Sequence, residues 1–279
     1  MMYMAINLAS KYSTKVDERF KLKSLTEVAV NHEYDWEGVN SITVYGIPTV
    51  VMNDYQITGS NRYGEPDELQ NTVQTMQLSK DRSFTFTIDR KNYQDTNMVM
   101  QAGKALARQI DEVIVPEIDT YRLAVMSAAA IAAGGKATAE VTKSNAYESF
   151  LAGTAYLDDN KVPQVKRVAF VTPAFYNLIK QDPTFIKSGD ISQKMLVNGQ
   201  VGEIDNVKII KVPSVYLPAN TAFIIAHPAA TVAAEKLSDY KTHNNPPGIN
   251  GWLVEGRVRY DAFVLDNKKG ALYVHKTAA

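Results

Sequence analysis

The stretch Asn97–Ile131, NMVMQAGKALARQIDEVIVPEIDTYRLAVMSAAAI, carries the strongest periodic signal in the chain. Apolar side chains recur every three to four positions, at Ala102, Ala105/Leu106, Ile110, Val113/Ile114, Ile118, Tyr121 and Val125. That spacing lines one face of an α-helix. At about 1.5 Å per residue the helix would reach roughly 50 Å, longer than a small domain is wide. Pro116 lies inside it. Proline lacks a backbone N–H, and its ring crowds the carbonyl four residues back, so a kink or break is expected near Val113. Asp119 and Arg122 stand one turn apart and can pair for a few tenths of a kcal/mol. Gly134-Gly135 then ends the helix.

Upstream, residues 42–90 read as extended β structure. Val50-Val51-Met52 follows Pro48, Val73 to Leu78 alternates, and Phe84-Thr85-Phe86-Thr87-Ile88 is a clean period-two strand. Tyr55 to Leu69 is polar and punctuated by Gly59, Gly64 and Pro66, a turn-rich loop. The whole predicts a long hairpin whose tip has little to bury. Such a hairpin is marginal alone in water and needs a neighbour, either its own domain or another chain. Its charged tip residues Arg62, Glu65, Asp67 and Glu68 are the candidate contacts to that neighbour. Residues 1–44 hold few apolar side chains and a local excess of lysine and arginine between Lys11 and Lys23. They read either as a solvated terminus or as an arm that becomes ordered against another subunit.

Downstream, residues 144–251 read as an α/β unit. Ser144 is positioned to cap a helix through about Asp158, and Val165 to Val171 is a strand. Thr172-Pro173 is a cap followed by proline at the first helical position, opening a short helix to Lys180. Asp205-Asn206 between two apolar runs is a two-residue hairpin turn. Ala222 to Ala226 is a strand, Pro228 to Leu237 a helix, and His243 to Gly248 a loop. In the tail, Trp252, Val254, Val258 and Tyr260 fall on one strand face, with Glu255, Arg257, Arg259 and Asp261 on the other. Asn267 to Gly270 turns the chain into a last strand, Ala271 to Lys276.

The chain has 279 residues, enough for one large or two ordinary domains. Thirty Lys+Arg balance thirty Asp+Glu, which argues against a general polyanion binder. Cysteine is absent, excluding disulfides, thiolate metal sites and cysteine nucleophiles. No signal peptide is visible at Met1 to Asn7. The apolar run Ala124 to Ala133 is too short for a bilayer, which needs about 20 residues. The four histidines, His32, His227, His243 and His275, never stand four apart. Gly134-Gly135-Lys136 is not a phosphate loop, since Ala130 occupies the first glycine position and a helix precedes it. No nucleophile elbow or dinucleotide motif occurs. No catalytic residue, cofactor or metal is therefore expected.

Six stretches, in order, carry a resemblance. They are Asp81 to Asp89, Ala102 to Ala130 with its Glu112–Asp119 centre, and Val171-Thr172-Pro173-Ala174-Phe175-Tyr176. They continue as Val201 to Ile210, His227-Pro228-Ala229-Ala230 and Gly256 to Leu265. Over residues 40–275 the chain resembles the major capsid proteins of tailed bacteriophages, which share the Hong Kong 97-like fold. The resemblance implies an α+β fold. Residues 1–44 would form an N-arm and 45–90 an extended β-hairpin loop. Residues 91–133 and 252–279 would make a peripheral domain with a long spine helix, and 134–251 an axial α/β domain. It implies a structural subunit of the icosahedral head shell, assembled in pentamers and hexamers, that encloses double-stranded DNA without reading its sequence. A separate scaffolding protein and a portal would be partners. The chain would be made in the bacterial host cytoplasm and end in the virion, with no membrane. An encapsulin-type compartment, or less favourably a soluble α/β binding protein or enzyme, is the alternative.

Overall fold

A computed structural model describes residues 24–31, 34, 41–46, 50–66, 68, 72–95, 102–187 and 202–278. Two sheets share one long helix. The larger sheet is six-stranded and mixed: β4 (Lys136–Thr138), β11 (Leu272–Lys276), β8 (Thr221–Ala226), β5 (Arg167–Val171), β7 (Val207–Lys211) and β6 (Glu203–Ile204), in that spatial order. The smaller is antiparallel: β3 (Lys80–Asp89), β10 (Gly251–Val264) and β9 (Thr231–Asn244). A separate hairpin pairs β1 (Ser41–Gly46) with β2 (Thr72–Gln77), Ser41 opposite Gln77.

The central strands of the six-stranded sheet are buried on both faces, which explains their near-continuous apolar sequences. Val168, Phe170, Ile224 and Ala226 point toward one core, shared with Leu123, Met126 and Ala130 of the long helix. Ala169, Val171, Phe223 and Ile225 point the other way. There they meet α4 (Ala146–Asp159) and α5 (Pro173–Gln181) through Phe150, Leu157, Phe175 and Ile179. Thr172 caps α5 as expected: its Oγ1 accepts the Phe175 N–H at 3.3 Å. Asp205 and Asn206 both have positive φ, +50° and +58°, the conformation of a tight hairpin turn between β6 and β7.

The long helix is α2 (Ala102–Gln109), a π-helical turn Ile110–Ile114, and α3 (Val115–Ala132). Pro116 produces no break. The preceding turn widens instead, and the Val115 N–H donates to the Ile110 carbonyl five residues back. This absorbs the missing donor without losing direction. At the far end Gly134 has φ +79°, with Gly135 N–H on Ala130 O (2.9 Å) and Gly134 N–H on Ile131 O (3.2 Å). This is a glycine-terminated cap. Gly135 has a second reason: a Cβ there would stand 2.4 Å from the Leu272 carbonyl oxygen.

Several expectations are corrected. Asp119 and Arg122 are not paired as a modest surface couple; both are 1% exposed. Asp119 accepts four bonds from residues 24–26: Ser24 Oγ (2.7 Å), Leu25 N (2.8 Å), Thr26 N (3.4 Å) and Thr26 Oγ1 (2.6 Å). Arg122 Nη1 reaches Glu27 Oε2 at 2.8 Å. The clasp seats Ala29 and Val30 in the core, and Asn31 bridges to Val232 beside it. So residues 24–31 belong to the body, while residues 1–23 lie outside the described residues.

Pro228–Leu237 is not a helix. Thr231–Asn244 runs as β9, paired along β10 from Thr231↔Val264 to Asn244↔Trp252. The cross-strand pairing overrides the helical propensity of its alanines. Residues 45–90 do not make one hairpin either: β1 and β2 pair with each other, and β3 joins β10. Val50–Met52 is irregular chain. Asp261 is buried rather than on a solvated face, accepting Ser79 N–H (2.7 Å) and Tyr121 O–H (2.7 Å). Helix α4 starts after Asn145, whose Oδ1 accepts the Thr142 N–H, so Ser144 is not its cap.

Asp119→Ala removes a buried acceptor of four bonds and leaves the donors of Ser24, Leu25 and Thr26 without it. We expect a loss of about 3 kcal/mol in urea unfolding, with proteolytic opening at residues 24–31. A loss below about 1 kcal/mol would show that the clasp is peripheral to stability.

Candidate assembly surfaces

The hairpin is pinned at its root and bare at its end. Ile42 and Met76 are buried with Val232 and Leu265. Gln74 locks the register, its Nε2 donating to Val264 O (3.3 Å) and its Oε1 accepting from Asp266 N (3.1 Å). Beyond the root, the chain exposes apolar surface. Among the described residues, eight of the thirteen large exposed hydrophobics lie between Tyr45 and Val73: Tyr45, Val50, Val51, Met52, Tyr55, Ile57, Tyr63 and Val73. Val51, Met52, Ile57 and Tyr63 are all more than 80% exposed. Sequence reading treated this tip as polar, so it missed the apolar side chains interleaved with the turn residues.

The tip has internal order. Gln56 N–H donates to Arg62 O (2.9 Å), Gly64 N–H to Asn61 O (3.0 Å), and Tyr55 meets Tyr63 edge-on at 5.1 Å. Gly64 has φ +87° and Asn53 packs where a Cβ would stand. The loop is a shaped surface with its side chains outward. Of the four charged candidates, Arg62 lies in the tip with Nε donating to Gly59 O (3.3 Å), and Glu65 and Glu68 are exposed nearby. Asp67 lies outside the described residues. Among the described residues, none of these three meets a group of opposite charge.

The body offers an open groove of about 680 Å3 between β3, α3 and the turn Ser214–Tyr216. Pro116, Tyr121, Val215, Tyr216 and Tyr260 give it apolar walls, and Lys80 and Arg82 line it from β3. Lys80 Nζ stands 5.1 Å above the Tyr121 ring. Glu117 ties the groove floor together: Tyr260 O–H donates to it at 2.8 Å and Arg82 Nε pairs with it at 2.8 Å. Burial, reinforced by that bond to Glu117, pushes the Tyr260 hydroxyl far above its ordinary range. On the sheet's opposite face, Arg257 grips both oxygens of Asp81, with Nε on Oδ1 at 2.8 Å. That bond, with the charges of Arg257 and Arg259, holds the Asp81 carboxyl below the usual carboxylate range against a smaller effect of burial.

No group of three His, Asp or Glu side chains is placed to hold a metal among the described residues. No described helix is long and apolar enough to cross a membrane.

An α+β body with an apolar hairpin rooted on it and a long helix shared by two sheets has the Hong Kong 97-like fold. Comparison with known proteins agrees. The phage capsid protein family matches residues 72–274, and the chain belongs to that family. It is a major capsid protein, the structural subunit of a phage head. Its fold is similar to a Mycobacterium phage Che8 structure (TM-score 0.70, 16% identity, 98% of each chain covered). It is similar too to the capsid of cyanophage P-SCSP1u (0.77, 11%, 97% of this chain and 93% of that one). The bacteriophage PhiM1 mature capsid gives 0.73 at 12% identity, covering 98% of this chain and 92% of the other. No curated protein sequence matches the chain.

Glu117→Ala should cost about 1–2 kcal/mol, mostly through the half-buried Tyr260 bond. Arg82→Ala should be within about 0.5 kcal/mol of wild type, because its guanidinium is largely in water. Chemical unfolding of both variants checks the ranking; an equal loss would make the exposed ion pair the dominant tie.

Proposed function

We propose that the chain builds the icosahedral head of a tailed phage around double-stranded DNA, with the hairpin tip of each subunit seated on the next. The observation that carries this reading is the concentration of exposed apolar side chains on residues 45–73. A tip that buries nothing at home needs a foreign surface. Magnitudes favour the apolar residues over the charged ones as the source of the contact. Burying one large aliphatic side chain contributes roughly 1.5–3 kcal/mol. An exposed ion pair contributes about 0–1 kcal/mol. Arg62, Glu65, Asp67 and Glu68 then set the register at the rim. The groove beside Lys80 and Arg82 is a fitting seat, since residues 50–68 hold four carboxylates against one arginine.

In this reading residues 1–23 act as the arm and 41–77 as the extended loop. The three-stranded sheet with α2 and the start of α3 is peripheral, and the six-stranded sheet is axial. Copies meet in pentamers and hexamers through unlike surfaces, which form rings when the rotation between neighbours closes. The role is structural rather than catalytic. The zero net charge suits a container that must let its DNA go. Synthesis in the host cytoplasm, a separate scaffolding protein and a portal complete the proposal. The phage capsid family match favours this over an encapsulin-type compartment or a soluble enzyme.

Met52→Asp should leave the free subunit folded by circular dichroism and cut the yield of closed particles at least tenfold. Arg62→Glu should lower the yield less. Trypsin should cleave at Arg62 in free chains and spare it in particles. Normal yield from Met52→Asp, with equal cleavage in both states, would make the tip an ordinary surface loop.

A further inference from the structure

His227 stands where the chain leaves the six-stranded sheet at Ala226 and enters the three-stranded sheet at Thr231. The turn it opens is bonded to the return crossing of the chain. His227 N–H donates to Ala271 O (3.1 Å), Leu265 N–H to Ala230 O (3.0 Å), and Ala230 N–H closes the turn on His227 O (3.0 Å). Its ring adds a third connection. Nε2 lies 3.2 Å from the Val165 carbonyl, in the loop that leads into β5, and Nδ1 accepts the Ala229 N–H at 3.2 Å.

These contacts fix the protonation state. A carbonyl can only accept, so Nε2 carries the hydrogen; a backbone N–H can only donate, so Nδ1 is bare. The charged groups facing the ring are Arg167 and Lys166, from β5 and its lead-in, and Lys268, from the 3-10 turn Asp266–Ala271. Asp158 is committed to Arg167 at 2.6 Å, and no carboxylate pairs with the imidazole among the described residues.

We propose that His227 is a proton-operated latch on the crossover between the two sheets. Neutral, it clamps the 227–230 turn to the Val165 loop. A proton taken from solvent at Nδ1 turns the acceptor into a donor opposing the Ala229 N–H and adds a fourth positive charge beside Arg167, Lys166 and Lys268. The Ala229 bond is then lost and the turn loosens internally, while Nε2–H still donates to the Val165 carbonyl. Burial, more than the cations, pushes the His227 pKa down, while the Val165 bond works against that shift. The latch is therefore fully closed above an unfolded-state value near 6.5 and opens as pH falls through the lower folded value.

The test is hydrogen exchange of the full chain at pH 7.5 and 5.5, corrected for the intrinsic rate. Protection of the Ala229, Ala230 and Thr231 amides should fall on the order of tenfold in wild type. His227→Asn keeps an acceptor for the Ala229 N–H without a titrating group, and its protection should be unchanged between the two conditions. His275→Phe removes the other buried, pKa-depressed imidazole and should keep the wild-type response. The ring signal of His227 in wild type should titrate with the same midpoint as the loss of protection. Equal losses in wild type and His227→Asn, no loss in wild type, or a ring midpoint away from the loss would each overturn the latch.

Discussion

A carboxylate almost sealed from water, Asp119, organises this subunit. A buried charge is costly unless every lone pair is used, and here four donors from Ser24, Leu25 and Thr26 use them. Thr26 Oγ1 donates to Asp119 and accepts from Arg122 Nη1 (3.3 Å), so one hydroxyl couples the two charges. The clasp sits in the first half of α3, where the helix passes from one sheet to the other, and it fixes residues 24–27 to the body.

The second constraint is that one helix serves two cores. Ile118 and Tyr121 pack on Val258 and Tyr260 of the three-stranded sheet, and Leu123, Met126 and Ala130 pack on the six-stranded sheet. Both sets of contacts come from α3, downstream of the π-turn at Ile110–Ile114, so one α-helical segment is buried against the two sheets in succession. Two short crossings between the sheets, at 227–230 and 265–271, are bonded side by side.

Much of this was legible in the sequence. The 3.6-residue period exposed the long helix, Thr172-Pro173 marked the start of α5, and Asp205-Asn206 marked a turn, because each is decided by local chemistry. The failures share a cause. Ala233 and Ala234 favour a helix locally, yet the paired strand Thr231–Asn244 wins through a partner distant in sequence. Asp119 and Arg122 looked like a surface pair because nothing nearby in sequence shows that residues 24–27 would cover them. The apolar tip was hidden differently: Val51, Met52, Ile57 and Tyr63 have no periodicity, since no partner in their own chain imposes one. Charged residues stood out there, while the exposed apolar side chains stand between them.

Cryo-electron microscopy of purified particles tests the central claim most directly. The account predicts closed icosahedral shells in which Val51, Met52, Ile57 and Tyr63 of one subunit lose most of their accessible surface against the body of the next. Discrete two-fold dimers, or shells in which those four side chains still face solvent, would contradict it.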